Sequence, residues 1–225
     1  MSGVVYGPGY RLGWVGAQRQ VLAGDLTPHA RLCDYARVAH VSALGPLAGL
    51  RGEVTVIDGT PLVTTLAAGT MKVEQSFDHE ACFLVHAQVV RWQWTRHDVG
   101  LPAWSAFDPV LRRMAAAAGI DPAGPFPFRL AGRAHSGTIH VLDRRDDRPH
   151  SPERHEEVKV HFPLQGEDVE VIGFLSDQHH GVFVPGDSPI HAHLAARDRA
   201  FAGHVDVLRL DAGWRLGLPA TEESS

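Results

Sequence analysis

Three histidines carry the clearest chemistry in the chain. His191 and His193 are separated by one residue, so in an extended strand both side chains leave the same face. A polar bend follows, and then His204. If residues 194–201 fold back as a hairpin centred between Arg197 and Asp198, His204 stands opposite His191 and diagonal to His193. Opposed Cβ atoms in such a pair lie ~4.5–5.5 Å apart and diagonal ones ~7–8 Å, which lets three imidazoles converge on one ion. Zinc is the natural candidate. A three-histidine set leaves a coordination position open, the arrangement of catalytic sites and not of closed structural ones. In a chain with 15 histidines a lone His-x-His pair has an ordinary explanation as chance placement on a strand. The third histidine, placed by register, gives the metal reading its weight. His179 and His180 are adjacent and point to opposite faces of any strand, so they read as loop residues whose role stays open.

The elements that must position these residues are mostly strands. Thr27-Pro28 has the form of a helix entry, with Leu32, Tyr35 and Ala36 as an apolar face and an end near His40. Residues 50–57 read as a strand through Val54 and Val56, Asp58-Gly59 as a turn, and 62–65 as the returning strand. Glu53 lies at the start of that strand beside Gly52, where a solvated edge glutamate is the ordinary reading. Residues 71–77 and 82–94 supply further strands. In the second, His86, Gln88, Arg91 and Gln93 do not keep one parity, which suggests a bulge, while Trp92 and Trp94 suit core or interface packing. Asp108 as N-cap, with Pro109 behind it, opens a helix that Gly119 stops. Strands follow at 125–130, 137–143, 158–162 and 169–175, with exposed or irregular loops at 143–157 and 176–188. A closing strand begins at Trp214. Gly52-Glu-Val-Thr-Val-Ile-Asp58 and Gly137-Thr-Ile-His-Val-Leu-Asp143 share one pattern, each after a proline-capped helix. The expectation is an α+β protein of two tandem related mixed-sheet halves with few helices. Residues 1–120 carry Glu53, and residues 121–225 carry the metal site.

Composition narrows the class. With 225 residues, 44% hydrophobic and 21% charged, the chain has ample core for a soluble protein. A net charge of −5 leaves no basic footprint, so nucleic acid is not expected as a partner. Cys33 and Cys82 fit reduced thiols in a cytoplasmic protein. The N-terminal residues lack a charged and then apolar leader, and no apolar run has the ~18 residues of a membrane span.

The residues also carry a family likeness. Over about residues 20–219 the chain resembles the acetolactate decarboxylases, zinc enzymes that convert a 2-hydroxy-2-methyl-3-oxo acid to acetoin and CO2. Leu50-Arg51-Gly52-Glu53, running on to Val56-Ile57-Asp58-Gly59, looks like that family's Leu-Asp-Gly-Glu strand. Ile172-Gly173-Phe174 resembles the segment before its metal site. His191, His193 and His204, with ten residues between the second and third, match its histidine signature. The resemblance implies an acetolactate decarboxylase-like fold, zinc on the three histidines, Glu53 as proton donor, and a homodimer. Two positions depart: Pro46 stands where the family has a threonine, and His140 where it has an arginine that suits a carboxylate. The family's C-terminal acidic residue has no counterpart, since Glu222 and Glu223 come too early.

Loss of CO2 from a 3-oxo acid leaves electrons that delocalise into the ketone as an enediolate, so the chemistry needs a Lewis acid and a proton donor. Histidine at 140 is charged only part of the time near neutral pH, which weakens a substrate carboxylate's hold. Two enzyme readings follow. One is a diverged decarboxylase of a different 2-hydroxy-3-oxo acid, with Glu53 and His140 as catalytic candidates. The other keeps the zinc and enediolate machinery for a retro-aldol, isomerase or cyclase step on a hydroxy-keto substrate without that carboxylate. A third, from another class, is a non-catalytic zinc-binding protein.

Overall fold

The computed structural model describes residues 1–220; Glu222 and Glu223 lie outside them. Two seven-stranded sheets dominate. In the first the strand order is Ser2–Gly7, Tyr10–Val15, Leu84–Gln88, Val41–Pro46, Glu53–Ile57, Thr60–Ala67, Thr70–Glu74. In the second it is Trp92–Arg96, Arg215–Pro219, Phe126–Leu142, Asp168–Leu175, Ile190–Ala196, Ala202–Leu210, with Lys159–Leu164 paired to the long strand. All pairings in both sheets are antiparallel. Phe126–Leu142 also pairs with Ala202–Leu210, so four strands of the second sheet close on themselves.

Glu53–Ile57 is buried along its whole length, and period-two alternation gives its two faces different jobs. Val54 and Val56 pack with Val41, Ala43 and Leu32 on one side. Ile57 packs with Ile172 and Phe174 of the second sheet on the other. Glu53 and Thr55 share Ile57's parity and meet the second sheet too. At Gly52 (φ 152°) a Cβ would come 2.2 Å from the Thr64 carbonyl oxygen, so only glycine lets this backbone approach its neighbour just before Glu53.

Several local expectations are corrected. No helix starts at Pro28. Thr27 instead gives its N–H and hydroxyl to Asp25 Oδ1, at 3.2 and 2.5 Å, so its hydroxyl is unavailable as a cap. Ala30–Arg31 then pairs with Glu80–Ala81, and only a single 3-10 turn, Leu32–Tyr35, follows. Tertiary hydrogen bonding, including Leu32 N–H to His79 O at 2.9 Å, overrides the local helix signal. Cys33 is accordingly exposed on that turn, Cys82 is buried, and both are free thiols.

The helix near Pro109 is Phe107–Ala117, capped at Ala106 and not at Asp108. Asp108 lies in its first turn and accepts from Arg112 at 2.6 Å. Phe107, Leu111 and Ala115, spaced by four, bury one stripe in the core of the second sheet. Gly119 ends the helix at φ 75°, as expected.

Residues 82–94 form two strands and not one, Leu84–Gln88 in the first sheet and Trp92–Arg96 in the second. The parity break marks a chain crossing between sheets, not a bulge. Conversely, 125–130 and 137–143 belong to one 17-residue strand, Phe126–Leu142. Inside the expected loop 143–157, Pro152–Glu157 forms a short helix whose N-cap, Ser151, accepts from Arg154 N–H at 3.2 Å. No helix among the described residues is long and apolar enough to cross a membrane.

Candidate metal centre

His191 and His193 sit on Ile190–Ala196, and His204 on Ala202–Leu210. The hairpin register differs from the expected one. His193, not His191, faces His204, and Ala195 faces Ala202. The turn is closed by Ala196 N–H to Phe201 O at 2.9 Å, with Arg199 at φ 65°, which moves its centre to between Asp198 and Arg199. Each histidine's opposite position shifts by two residues, an even number, so parity is kept and all three rings still share a face. Their ring centroids are 4.9–5.4 Å apart. Each offers a nitrogen within 4.8 Å of the others.

The ring nitrogens are sorted between protein and cleft. His191 Nδ1 donates to the Phe183 carbonyl at 2.7 Å; a carbonyl only accepts, so Nδ1 carries the proton and Nε2 keeps its lone pair. His193 Nδ1 shares a hydrogen bond with the Thr55 hydroxyl at 3.0 Å. Its Nε2 is fully shielded from solvent and has no hydrogen-bond partner among the described residues. A buried, unpaired imidazole nitrogen is costly, and a metal ion would satisfy it. Burial also holds the rings neutral, pushing His191 down to about 4 and His193 and His204 well below the ordinary range. Neutral imidazole is the form that ligates. The oriented lone pair of His191, three neutral rings and the orphaned nitrogen of His193 fit a metal ion on His191, His193 and His204.

Glu53 reaches this centre from the other sheet. Its Oε2 lies 3.7 Å from His193 Nε2, and it is only 2% exposed, so it is not a solvated edge residue. Burial pushes its carboxyl well above the usual range; Asp206 adds to the shift, and the Leu142 N–H and Lys159 oppose it. A cation at the histidines would pull it back. Pro46 lies opposite Glu53 in the strand ladder. A cleft of about 450 Å³ opens over Glu53, His191 and His204, and Pro46 and His140 also line it.

His140 is buried, and its Nδ1 donates to Asp206 Oδ1 at 2.6 Å. Its ring stacks on His204 at 4.5 Å. Desolvation lowers its pKa although Asp206 opposes the shift. His179 and His180 stay outside the cleft lining. His179 packs on Trp14 and Phe183 and bonds Ser176 Oγ at 2.8 Å, while the exposed His180 holds the Pro185 carbonyl at 2.9 Å.

Sequence reasoning missed several contributors, among them Asp206, which holds His140 at the cleft. Thr55 was findable, since it lies two residues beyond Glu53 on the same face. The Phe183 carbonyl, from the irregular 176–188 loop, leaves no side-chain signal. Lys159 and His155 line the cleft from the segment set aside as an exposed loop and the strand after it. Thr55→Val should lower divalent-metal affinity by about 10–100-fold, the usual cost of removing a ligand's orienting partner. Competition against a chromophoric chelator measures it, and an unchanged affinity would remove Thr55 from the centre.

No protein-family model matches the sequence, and no curated protein matches it. Solved structures do. The alpha-acetolactate decarboxylase of Bacillus subtilis strain 168 superposes with a TM-score of 0.73 at 16% identity, over 91% of this chain and 83% of that one. The acetolactate decarboxylase of Bacillus subtilis subspecies spizizenii gives 0.75 at 15%, over 92% and 84%. A Staphylococcus aureus protein of unknown function, similar to alpha-acetolactate decarboxylase, gives 0.72 at 15%, over 93% and 85%. The chain has the fold of these proteins, a mostly β architecture with few helices.

Proposed function

We propose that the chain is a zinc-dependent carbon–carbon lyase that decarboxylates a 2-hydroxy-3-oxo acid, in the manner of the decarboxylases whose fold it shares. The observation that carries this reading is Glu53, a buried carboxyl 3.7 Å from His193 Nε2, at a cleft beside three histidines suited to a metal. When bound, zinc supplies a Lewis acid for the ketone and hydroxyl oxygens, the electron sink that breaking the bond to CO2 requires. His191, His193 and His204 would hold it as neutral ligands, keeping its charge.

Glu53 acts as the proton donor. Burial favours its protonated form, and a proton passed to the carbon that loses CO2 completes the product, with Glu53 reprotonated from solvent. Of the described residues lining the cleft, Lys159 alone carries a permanent positive charge. It is positioned to hold the substrate carboxylate that the neutral, buried His140 serves poorly. Its own ammonium is held by Glu156 at 2.6 Å.

A second reading has its own observation. Asp206, 2.6 Å from His140, puts a carboxylate beside the position where the resemblance expects an arginine, and this favours a hydroxy-keto substrate without a carboxylate, turned over by isomerisation or a retro-aldol step. Incubating the zinc-loaded protein with acetolactate separates the two. Acetoin should form, and Lys159→Met should raise KM by about 10–100-fold, the loss of a charged hydrogen bond. Absence of acetoin, with deuterium exchanged from D2O into a simple hydroxyketone, would transfer the assignment to the second reading.

A further inference from the structure

The histidines of the metal centre belong to a longer row. In the strand ladders His193 faces His204, His204 faces His140, and His140 faces His161. Four imidazoles therefore stand in register across four neighbouring strands. The first two belong to the centre described above. The last two meet Asp206.

Asp206 is placed by an irregularity. Ile139 pairs with Val205 and Thr138 with Val207, so Asp206 is the extra residue of a β-bulge, a device that re-aims a side chain. Its Oδ1 takes the His140 Nδ1 proton at 2.6 Å. Its Oδ2 lies 3.7 Å from His161 Nε2, is shielded from solvent, and has no hydrogen-bond partner among the described residues. One ligand atom from each of the three residues lies within 4.8 Å of the others. Tetrahedral donors at zinc-ligand bond lengths stand roughly 3.3 Å apart, and the separations of 2.6 Å to one carboxylate oxygen and 3.7 Å to the other lie on either side of that spacing. Two imidazole nitrogens and a carboxylate oxygen form a donor set for a divalent first-row ion.

We propose that His140, His161 and Asp206 hold a second divalent transition-metal ion beside the three-histidine centre. The ion takes the place of the proton between His140 and Asp206, which leaves to solvent, and gives Asp206 Oδ2 the partner it lacks. His161, about half exposed, lies on the route of entry, and water completes the coordination. The two sets share no residue, although His140 stacks on His204. A cation here would put positive charge where the resemblance loses its arginine. The proposal stands independently of the decarboxylase reading.

The test is zinc stoichiometry of the full chain, by equilibrium dialysis of chelator-stripped protein against rising zinc followed by elemental analysis. Wild type should bind two ions. His161→Ala and Asp206→Asn should each bind one, as should His193→Ala, which leaves this site intact. His161 is exposed enough that its variant should keep the wild-type melting temperature, which guards against misfolding in Asp206→Asn. A wild type that saturates at one ion, lost in His193→Ala and kept in His161→Ala, overturns the proposal and shows Asp206 to be a hydrogen-bonding partner of His140 alone. A single ion lost in His161→Ala and kept in His193→Ala would support this site and sink the three-histidine one.

Discussion

His191→Ala should lose the proposed zinc and the proposed lyase activity together. The substitution removes one of three ligands, and with it the ring that the Phe183 carbonyl aims through Nδ1 at 2.7 Å. The loss in affinity should therefore exceed the ~10–100-fold that removal of a ligand's hydrogen-bond partner costs. His193 and His204 would remain, but two imidazoles separated by one strand spacing make an open, weak site. Zinc titration of the variant at low free metal, compared with wild type, reads the effect directly. Retention of tight, stoichiometric zinc there would move the metal away from this hairpin.

Glu53→Gln should separate binding from chemistry. Glutamine keeps the size of the side chain and its place between the sheets but has no proton to give. On the proposed lyase reading, metal content should stay at the wild-type level, while decarboxylation falls by about 10²–10⁴-fold, the usual contribution of a positioned acid. Burial of Glu53 favours the uncharged form, so a neutral amide should also leave the melting temperature near that of wild type. A variant that turns over normally would remove Glu53 from the mechanism. One that loses zinc as well would make Glu53 a metal ligand instead.

What the sequence made legible follows from how local each signal is. The pairing of His191 with His193 depends only on strand alternation, and it survives in the structure although the hairpin turn is centred one residue later than expected. Even a wrong register kept the triad, because the shift was by two. The helix Phe107–Ala117 was legible for the same reason, since Asp108-Pro109 near its start and the Gly119 stop are local signals, although the cap falls at Ala106 and not at Asp108. The failures were non-local. Thr27 and Pro28 have the form of a helix start, yet the segment after them is drawn into a small sheet with Glu80–Ala81. The parity break within residues 82–94 signals an irregularity, but which sheet each of the two strands joins is set by partners far away in the chain. The same holds for the site. Glu53 gains its meaning only when the second sheet covers it, and Asp206 and Lys159 reach the cleft through a bulge and a strand pairing that no spacing in the sequence encodes.

X-ray absorption at the zinc edge, on protein loaded with one equivalent, tests the central claim most directly. Three imidazole nitrogens at about 2.0–2.1 Å with an oxygen from solvent, altered when a hydroxy-keto acid is added, is the predicted result. A fourth protein ligand closing the shell, or a spectrum that substrate leaves unchanged, would contradict an open catalytic centre on His191, His193 and His204.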